Sequence, residues 1–323
     1  MFLAGDIGGT HARLVLLGPN GRAQRHEVFD SRKYVSLEAV VREFLGRKPA
    51  KVTAAAFGLA GPVVDQRFVG TNLPWRVDAR SLSRKLGIKR VTLLNDLVAL
   101  SLGALDASAK KLVPLGNAGV PRKKGANLAV IAAGTGLGEA LLVWDGARFL
   151  PSATEGGHAD FAPRDDVEVE LLHFLRARFG HVSWERVLSG NGLGNLYDFF
   201  RARGCAEGAD NAHALAAAAD RNAAIAQMGL ERRSEAAARA LELFASIYGA
   251  EAGNLALKSL AVGGVYVCGN IADRMLEVLS RGAFRTAFVD KGRFAPLMER
   301  IPVAVVRDPD IGLAGATRVA LGK

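Results

Sequence analysis

"LAGDIGGTHARLVLLGPNGR", residues 3–22, is an apolar strand that meets two glycines and a threonine, becomes apolar again, and ends in Asn20-Gly21. A two-residue hairpin needs no more than Asn-Gly, so the bare backbone at Gly8, Gly9 and Thr10 calls for another reason. The pattern predicts a strand over 2–6, a turn, a strand over 12–17, and a second turn at Asn20-Gly21.

The stretch "NLAVIAAGTGLGEALLVWDGARF", residues 127–149, repeats this plan. A strand over 128–132 meets Gly134, Thr135 and Gly136, returns over 140–143, and turns at Asp145-Gly146. Asn20-Gly21 and Asp145-Gly146 each fall ten and eleven residues after the turn threonine, Thr10 or Thr135. A unit of this length used twice points to duplicated halves rather than a solenoid. In the first half there follow a helix over 37–45, a buried strand in "VTAAAFGLAGP", a short strand near "RFVGTN" and a strand-to-helix junction "VTLLNDLVALSLGA". In the second half come amphipathic helices, notably over 234–248, then the strand "GGVYVCGNI" and the helix "ADRMLEVLS". A last helix, "IGLAGATRVAL", follows the strand "PVAVV" and is expected to pack back onto the first half. Strands alternating with helices indicate an α/β protein with mixed sheets covered on both sides.

Glycine lets backbone N–H groups approach an anion, and a threonine hydroxyl adds a donor, so each turn suits phosphate oxygens. Two such turns, one per lobe, would pinch a polyphosphate, with Asp6 suited to hold the waters of Mg²⁺. Taken singly, each turn also reads as a tight hairpin without a ligand. Neither turn has the Lys-Ser/Thr of a Walker A loop, and a strand rather than a helix follows the glycines, unlike a dinucleotide-binding fingerprint.

Asn95-Asp96 closes a run of apolar residues at the start of a helical pattern. Both residue types favour the N-cap; alternatively Asp96, at a strand end, accepts a hydroxyl proton during phosphoryl transfer. "ATEGGHADFAP" sets Glu155 and His158 around two glycines. As a metal pair they lack a third ligand, whereas acid, imidazole and amide together suit a polyol, which needs donors and acceptors in fixed places. Glu185 in "HVSWERVLSG" is either a further acceptor or a solvated helix charge.

The composition sets bounds. The chain has 323 residues, half of them apolar and 23% charged, enough for two domains or one two-lobed unit. No window approaches the roughly 18 consecutive apolar residues of a membrane span, and "MFLAGDIGG" has neither a basic region nor a cleavable apolar stretch, so a cytoplasmic protein is expected. The net charge of +10 is scattered, without a basic helix or aromatic-basic interleaving, which argues against nucleic acid and for an anionic small substrate or compositional bias. Cys205 and Cys268 form no CxxC pair and read as free buried thiols. The Ala-rich "HALAAAADRNAAIAQM" reads as helix.

The segments "GDIGGTHARLVL", "FGLAGPV", "LLNDLVALSLG", "AAGTGLGEALLV", "EGGHADFAP", "HVSWERVLSGNGL" and "VYVCGNIADR" span nearly the whole chain. In this order they resemble the bacterial ATP-dependent glucokinases of the actin, Hsp70 and sugar-kinase superfamily. The resemblance implies a two-lobed actin-like, ribonuclease H-like fold with a cleft between the lobes. It implies a small lobe over 1–106 joined by the C-terminal helix of 307–323, and a large lobe over 107–306. It further implies transfer of the ATP γ-phosphoryl group to the 6-hydroxyl of glucose, Asp96 as base, Mg²⁺ as cofactor and a homodimer. By position Asn95, Asp96, Glu155, His158 and Glu185 match the family's glucose contacts. Asp6, Gly8, Gly9, Thr10, Gly134, Thr135 and Gly136 match its Mg-phosphate site. Two residues depart from the pattern: His11 stands where Asn is usual, and Glu139 follows GTGLG where a small or apolar residue is usual. The zinc-binding cysteines of the ROK branch are lacking, as is an N-terminal helix-turn-helix. The rivals are a kinase for another hexose or amino sugar, such as mannose or N-acetylglucosamine, and a non-catalytic ATP-driven clamp.

Overall fold

Both glycine-turn hairpins form, and each opens a sheet. The computed structural model describes residues 1–46, 51–70, 73–121 and 124–323. Along the chain come β1 (Phe2–Ile7), β2 (His11–Leu17), β3 (Ala23–Asp30), α1 (Leu37–Leu45), β4 (Ala54–Leu59), β5 (Val63–Val64), β6 (Arg67–Val69), β7 (Arg76–Asp78), α2 (Ala79–Leu86), β8 (Arg90–Asn95) and α3 (Asp96–Asp106). There follow β9 (Leu112–Pro114), β10 (Leu128–Ala133), β11 (Leu137–Trp144), β12 (Phe149–Thr154), α4 (Asp166–Phe179), α5 (Gly190–Ala202), α6 (Ala209–Ala217), α7 (Arg221–Leu230) and α8 (Glu235–Ser259). The chain closes with β13 (Gly264–Cys268), α9 (Asn270–Arg274), α10 (Leu276–Ser280), α11 (Ala283–Val289), α12 (Ala295–Met298), β14 (Val303–Val306) and α13 (Ile311–Ala320). No helix among the described residues is long and apolar enough to cross a membrane.

Two compact units result. The first comprises Met1–Ser108, Pro151–Ala153 and Asp308–Lys323, the second Ala109–Leu150 and Thr154–Arg307. The first sheet has the order β3-β2-β1-β4-β8 and the second β12-β11-β10-β13-β14-β9. In both, an antiparallel meander leads into parallel strands: β1 pairs antiparallel with β2 and parallel with β4, as β10 does with β11 and β13. The duplicated motif of the sequence is thus a duplicated sheet topology, with β9 added antiparallel to β14 in the second.

In the first unit, side chains alternate between two apolar layers, as strand pleating demands. Leu3, Leu14 and Phe57 join Val40, Phe44 and Leu82 on one face, while Ala4, Val15 and Ala56 meet Leu313 and Ala316 on the other. The small residues on that second face let helices come close. A Cβ on Gly103 of α3 would overlap the Ile311 carbonyl oxygen, and one on Gly315 of α13 would overlap that of Ala99. The two helices therefore cross backbone to backbone, and the C-terminal helix packs on α3, β1 and β4.

The second unit uses the same device. Gly249 of α8 lies against the Phe284 carbonyl of α11, and Gly253 against that of Phe288. This is why α8 runs to Ser259 rather than ending at 248. Two glycines that weaken a helix in isolation are kept helical by tertiary contact. Elsewhere the expected helices are interrupted. "ADRMLEVLS" breaks at Met275 into α9 and α10, and the Ala-rich stretch breaks before Asp220, whose carboxylate accepts the Ala223 N–H and caps α7. In "RFVGTN" the strand is Arg67–Val69, and Thr71 and Asn72 lie outside the described residues. Cys205 and Cys268 are free and buried.

Gly315→Val tests the glycine crossing. The substitution forces α3 and α13 apart and is expected to lower stability by about 2 kcal/mol, within the range for overpacked sites. Urea denaturation monitored by circular dichroism checks it.

Candidate functional site

In the first unit, Ile7, Leu59 and Asn95 stand in register across the parallel strands β1, β4 and β8. The glycine turn after β1 and the Asn95-Asp96 pair at the end of β8 therefore share one end of the sheet, the carboxyl end at which open α/β sheets collect ligands. The turn is pinned from outside. Gly8 N–H donates to the His11 carbonyl (2.9 Å), Ser31 N–H to that of Thr10 (2.9 Å), and the buried Ser31 hydroxyl to that of Gly8 (2.9 Å). Thr10 and His11 are exposed at its tip.

Asp6 sits at the base of this turn, 3.4 Å from Arg13, which also lies 3.9 Å from Asp310. A Cβ on Gly312 of α13 would stand 3.1 Å from its carboxyl. Burial pushes the Asp6 carboxyl above the usual carboxylate range, against the pull of Arg13.

Asn95 is the N-cap of α3, so the capping alternative holds for it. Its Oδ1 accepts the N–H groups of Leu97 (2.9 Å) and Val98 (3.3 Å), and its Nδ2 donates to the Gly61 carbonyl (3.0 Å). Asp96 is the first helical residue and its carboxylate accepts the Leu97 N–H (3.0 Å). A carboxylate in the first turn is stabilised by the helix dipole, so both side chains are oriented by the helix start and half-buried at the sheet end.

The second unit assembles the other expected residues. Gly134 N–H closes its turn on the Gly136 carbonyl (2.8 Å), and Gly190 N–H at the start of α5 donates to the Gly134 carbonyl (2.9 Å). Glu185, in the short 3-10 helix Trp184–Arg186, accepts the Leu137 N–H on Oε2 (3.0 Å) and occupies the space a Cβ on Gly136 would need. It is half-buried and braces the turn, so it is no solvated helix charge. Glu155 precedes the 3-10 helix Gly156–His158 and His158 ends it, both exposed. Trp184 N–H donates to the Ala159 carbonyl (3.0 Å), and the buried rings of Phe161 and Trp184 pack edge-on at 5.2 Å. The loop bearing Glu155 and His158 is thereby tied to the loop bearing Glu185.

Sequence reasoning missed several supporting residues. Ser31 carries no local signal, because its partner Gly8 is far away in the chain. Ser189, which caps α5 through Gly192 N–H (3.0 Å) and donates to the Glu185 carbonyl (2.8 Å), had a legible signal in Ser-Gly-Asn-Gly. Arg13 was within reach as the cation following the turn.

The chain matches the Glucokinase family model over residues 3–323. It is 37% identical to the glucokinase of Nostoc punctiforme, the alignment spanning 99% of this chain and 98% of that one. It is 38% identical to that of a Synechocystis species, spanning 98% and 96%. Among solved structures, a glucokinase from an Antarctic psychrotroph superposes with a TM-score of 0.83 at 27% identity, covering 99% of this chain and 98% of that one. A ROK family glucokinase from Streptomyces griseus, solved with glucose and AMPPNP, shares the fold at a TM-score of 0.66 and 20% identity, covering 100% and 99%.

The bracing role of Glu185 has a measurable consequence. Glu185→Ala leaves the Leu137 N–H without its acceptor, a loss of about 1–3 kcal/mol for a buried donor, whereas Glu185→Gln retains an acceptor oxygen. Thermal unfolding is expected to show a lowered midpoint in the first variant and a near-normal one in the second.

Proposed function

Because the chain belongs to the Glucokinase family, we propose that it transfers the γ-phosphoryl group of ATP to the 6-hydroxyl of D-glucose, giving glucose 6-phosphate and ADP. The single observation that carries the residue assignment is the shared carboxyl end of β1, β4 and β8, where a bare-backbone turn, Asp6 and the Asn95-Asp96 pair come together. A phosphoryl donor and an alcohol acceptor need such a set side by side: donors for oxyanions, and an acid for the hydroxyl proton.

In this reading Asp96 accepts the proton of the 6-hydroxyl as the oxygen bonds to the γ-phosphorus and the bond to the β-phosphate oxygen breaks. The transition state is loose and proton transfer late, so an ordinary carboxylate suffices as base. Asn95 is prevented from rotating by its cap bonds and offers its second amide hydrogen to the sugar. Glu155, His158 and Glu185 supply the remaining hydroxyl contacts. Glu185 retains Oε1 for this, because only Oε2 is spent on Leu137. Gly8, Gly9 and Thr10, with Gly134, Thr135 and Gly136, receive the phosphates.

The residues fit a divalent cation at Asp6, because Asp6 and Asp310 are two partly exposed carboxylates beside the single guanidinium of Arg13. Mg²⁺ arriving with ATP would be held there through water, and its chemistry is neutralisation of phosphate charge. The same reading includes a cytoplasmic location and a homodimer.

Coupled assay of ADP release against panels of sugars and phosphoryl donors tests the assignment. Glucose with ATP is expected to give the highest kcat/KM; a preference for mannose or N-acetylglucosamine moves the substrate, and sugar-independent turnover rejects the kinase. Asp96→Asn is expected to retain glucose binding by calorimetry while kcat falls by about 10² to 10⁴, the range for a general base.

A further inference from the structure

The hairpin of β5 and β6 turns on two residues, Asp65 and Gln66, between the paired Val64 and Arg67. Both stand in the left-handed region, at φ 50° and 58°. A two-residue hairpin with positive φ at both positions favours Asn-Gly, and a longer side chain held there is strained. Glycine would meet the demands of the turn at position 66. The chain carries glutamine instead, and its side chain has a task outside the turn.

Strand β8 lies at the edge of the first sheet, paired with β4 on one side only. Leu93, within it, presents its peptide groups outward, and Gln66 takes both. The Gln66 Nε2 donates to the Leu93 carbonyl (3.1 Å), and the Leu93 N–H donates to Gln66 Oε1 (2.8 Å). One carboxamide thus stands in for a residue of a further strand and satisfies an edge that pairing leaves open. Only Asn and Gln carry such a peptide-like donor and acceptor, and Asn is a methylene shorter. Gln66 is itself anchored from the other side. Its carbonyl accepts the N–H of Ala79, the first residue of α2 (3.0 Å), and Arg67 pairs with the α2 cap Asp78 (3.1 Å).

The same segment meets β8 again two residues beyond Leu93. There Asn95 Nδ2 donates to the Gly61 carbonyl (3.0 Å), which helps to fix the orientation of the Asn95 amide. Gly61 and Gln66 bracket one short stretch of chain. Its strand β5 belongs to a separate small sheet with β6 and β7, so side-chain bonds rather than a strand ladder tie it to β8.

We propose that Gln66 is a positioning residue for Asn95: by clamping the segment 61–66 to Leu93 it sets the Gly61 carbonyl, and through that carbonyl the amide that meets the sugar. This rests on the assignment of Asn95 as a sugar contact beside the base Asp96. Loss of the clamp therefore falls on the sugar and spares the nucleotide.

Gln66→Gly decides between a clamp and a turn residue. Glycine suits this backbone better than glutamine, so a residue serving the turn alone would leave the variant as stable and as active as the parent chain. The clamp predicts that kcat/KM for glucose falls about 10²-fold, the scale of a misplaced contact, while the KM for ATP changes by less than about twofold. Gln66→Asn, whose amide falls short of Leu93, is expected to lose activity in the same way. Asp65→Gly relieves the neighbouring strain without touching the clamp and keeps the parent kinetics. Amide hydrogen exchange reads the clamp directly: the Leu93 N–H exchanges faster in Gln66→Gly and Gln66→Asn, and at the parent rate in Asp65→Gly. Unchanged exchange at Leu93, an unchanged kcat/KM for glucose in Gln66→Gly, or a loss shared equally by ATP overturns the proposal. A parent chain that phosphorylates no sugar fails the kinase assignment, and the positioning role with it, while faster exchange at Leu93 still marks the clamp.

Discussion

The site residues depend on one constraint: a carboxylate pressed against a backbone that has no Cβ. Glu185 lies where Gly136 would carry a side chain, Glu139 where Gly156 would, and Asp6 against Gly312. In each case the acid and the glycine stand on different elements: Asp6 on β1 against α13, Glu139 on β11 against the turn at Gly156, and Glu185 on a 3-10 helix against the turn at Gly136. A buried acid is costly unless it finds donors or a shared proton. Arg13 serves Asp6, and the Leu137 N–H serves Glu185. Moving the second turn would leave Glu185 without the Leu137 N–H.

The same closeness recurs in the scaffolds. Gly103 and Gly315 bring α3 and α13 into backbone contact, and Gly249 and Gly253 bring α8 to α11. Helices seated this close to their neighbours hold each sheet so that its strand ends are fixed. Rigid strand ends are what a phosphoryl-transfer site needs, because positioning supplies most of the rate enhancement when the chemistry itself asks little of the protein.

Much of this was legible in the sequence. The matched spacing of Thr10 and Thr135 to their Asn-Gly and Asp-Gly turns predicted two equivalent hairpins, and the sheets bear the duplication out. The helix over 37–45 and the buried strand that follows it in "VTAAAFGLAGP" were both read from the chain, whereas β3 before the helix was not. The helix boundaries were the part misjudged, the Ala-rich stretch breaking where Asp220 caps α7. The helix expected over 234–248 runs on through two glycines because α11 covers them, and the single helix expected in "ADRMLEVLS" is broken at Met275. Local propensity cannot register a neighbour distant in the chain.

For the site, the chain alone specified residue types and spacings: bare turns, an Asn-Asp pair at a strand end, and an acid and histidine around two glycines. Those properties are local, being set by backbone freedom, capping preference and side-chain chemistry over a few residues. Tertiary structure decided which groups share an end of a sheet and which acids are paired. Glu185 became a brace for the second turn, and Glu139 became a buried acid set against Gly156. Charge compensation inside a protein is set by what folding brings within a few ångströms, and no pattern along the chain records that distance.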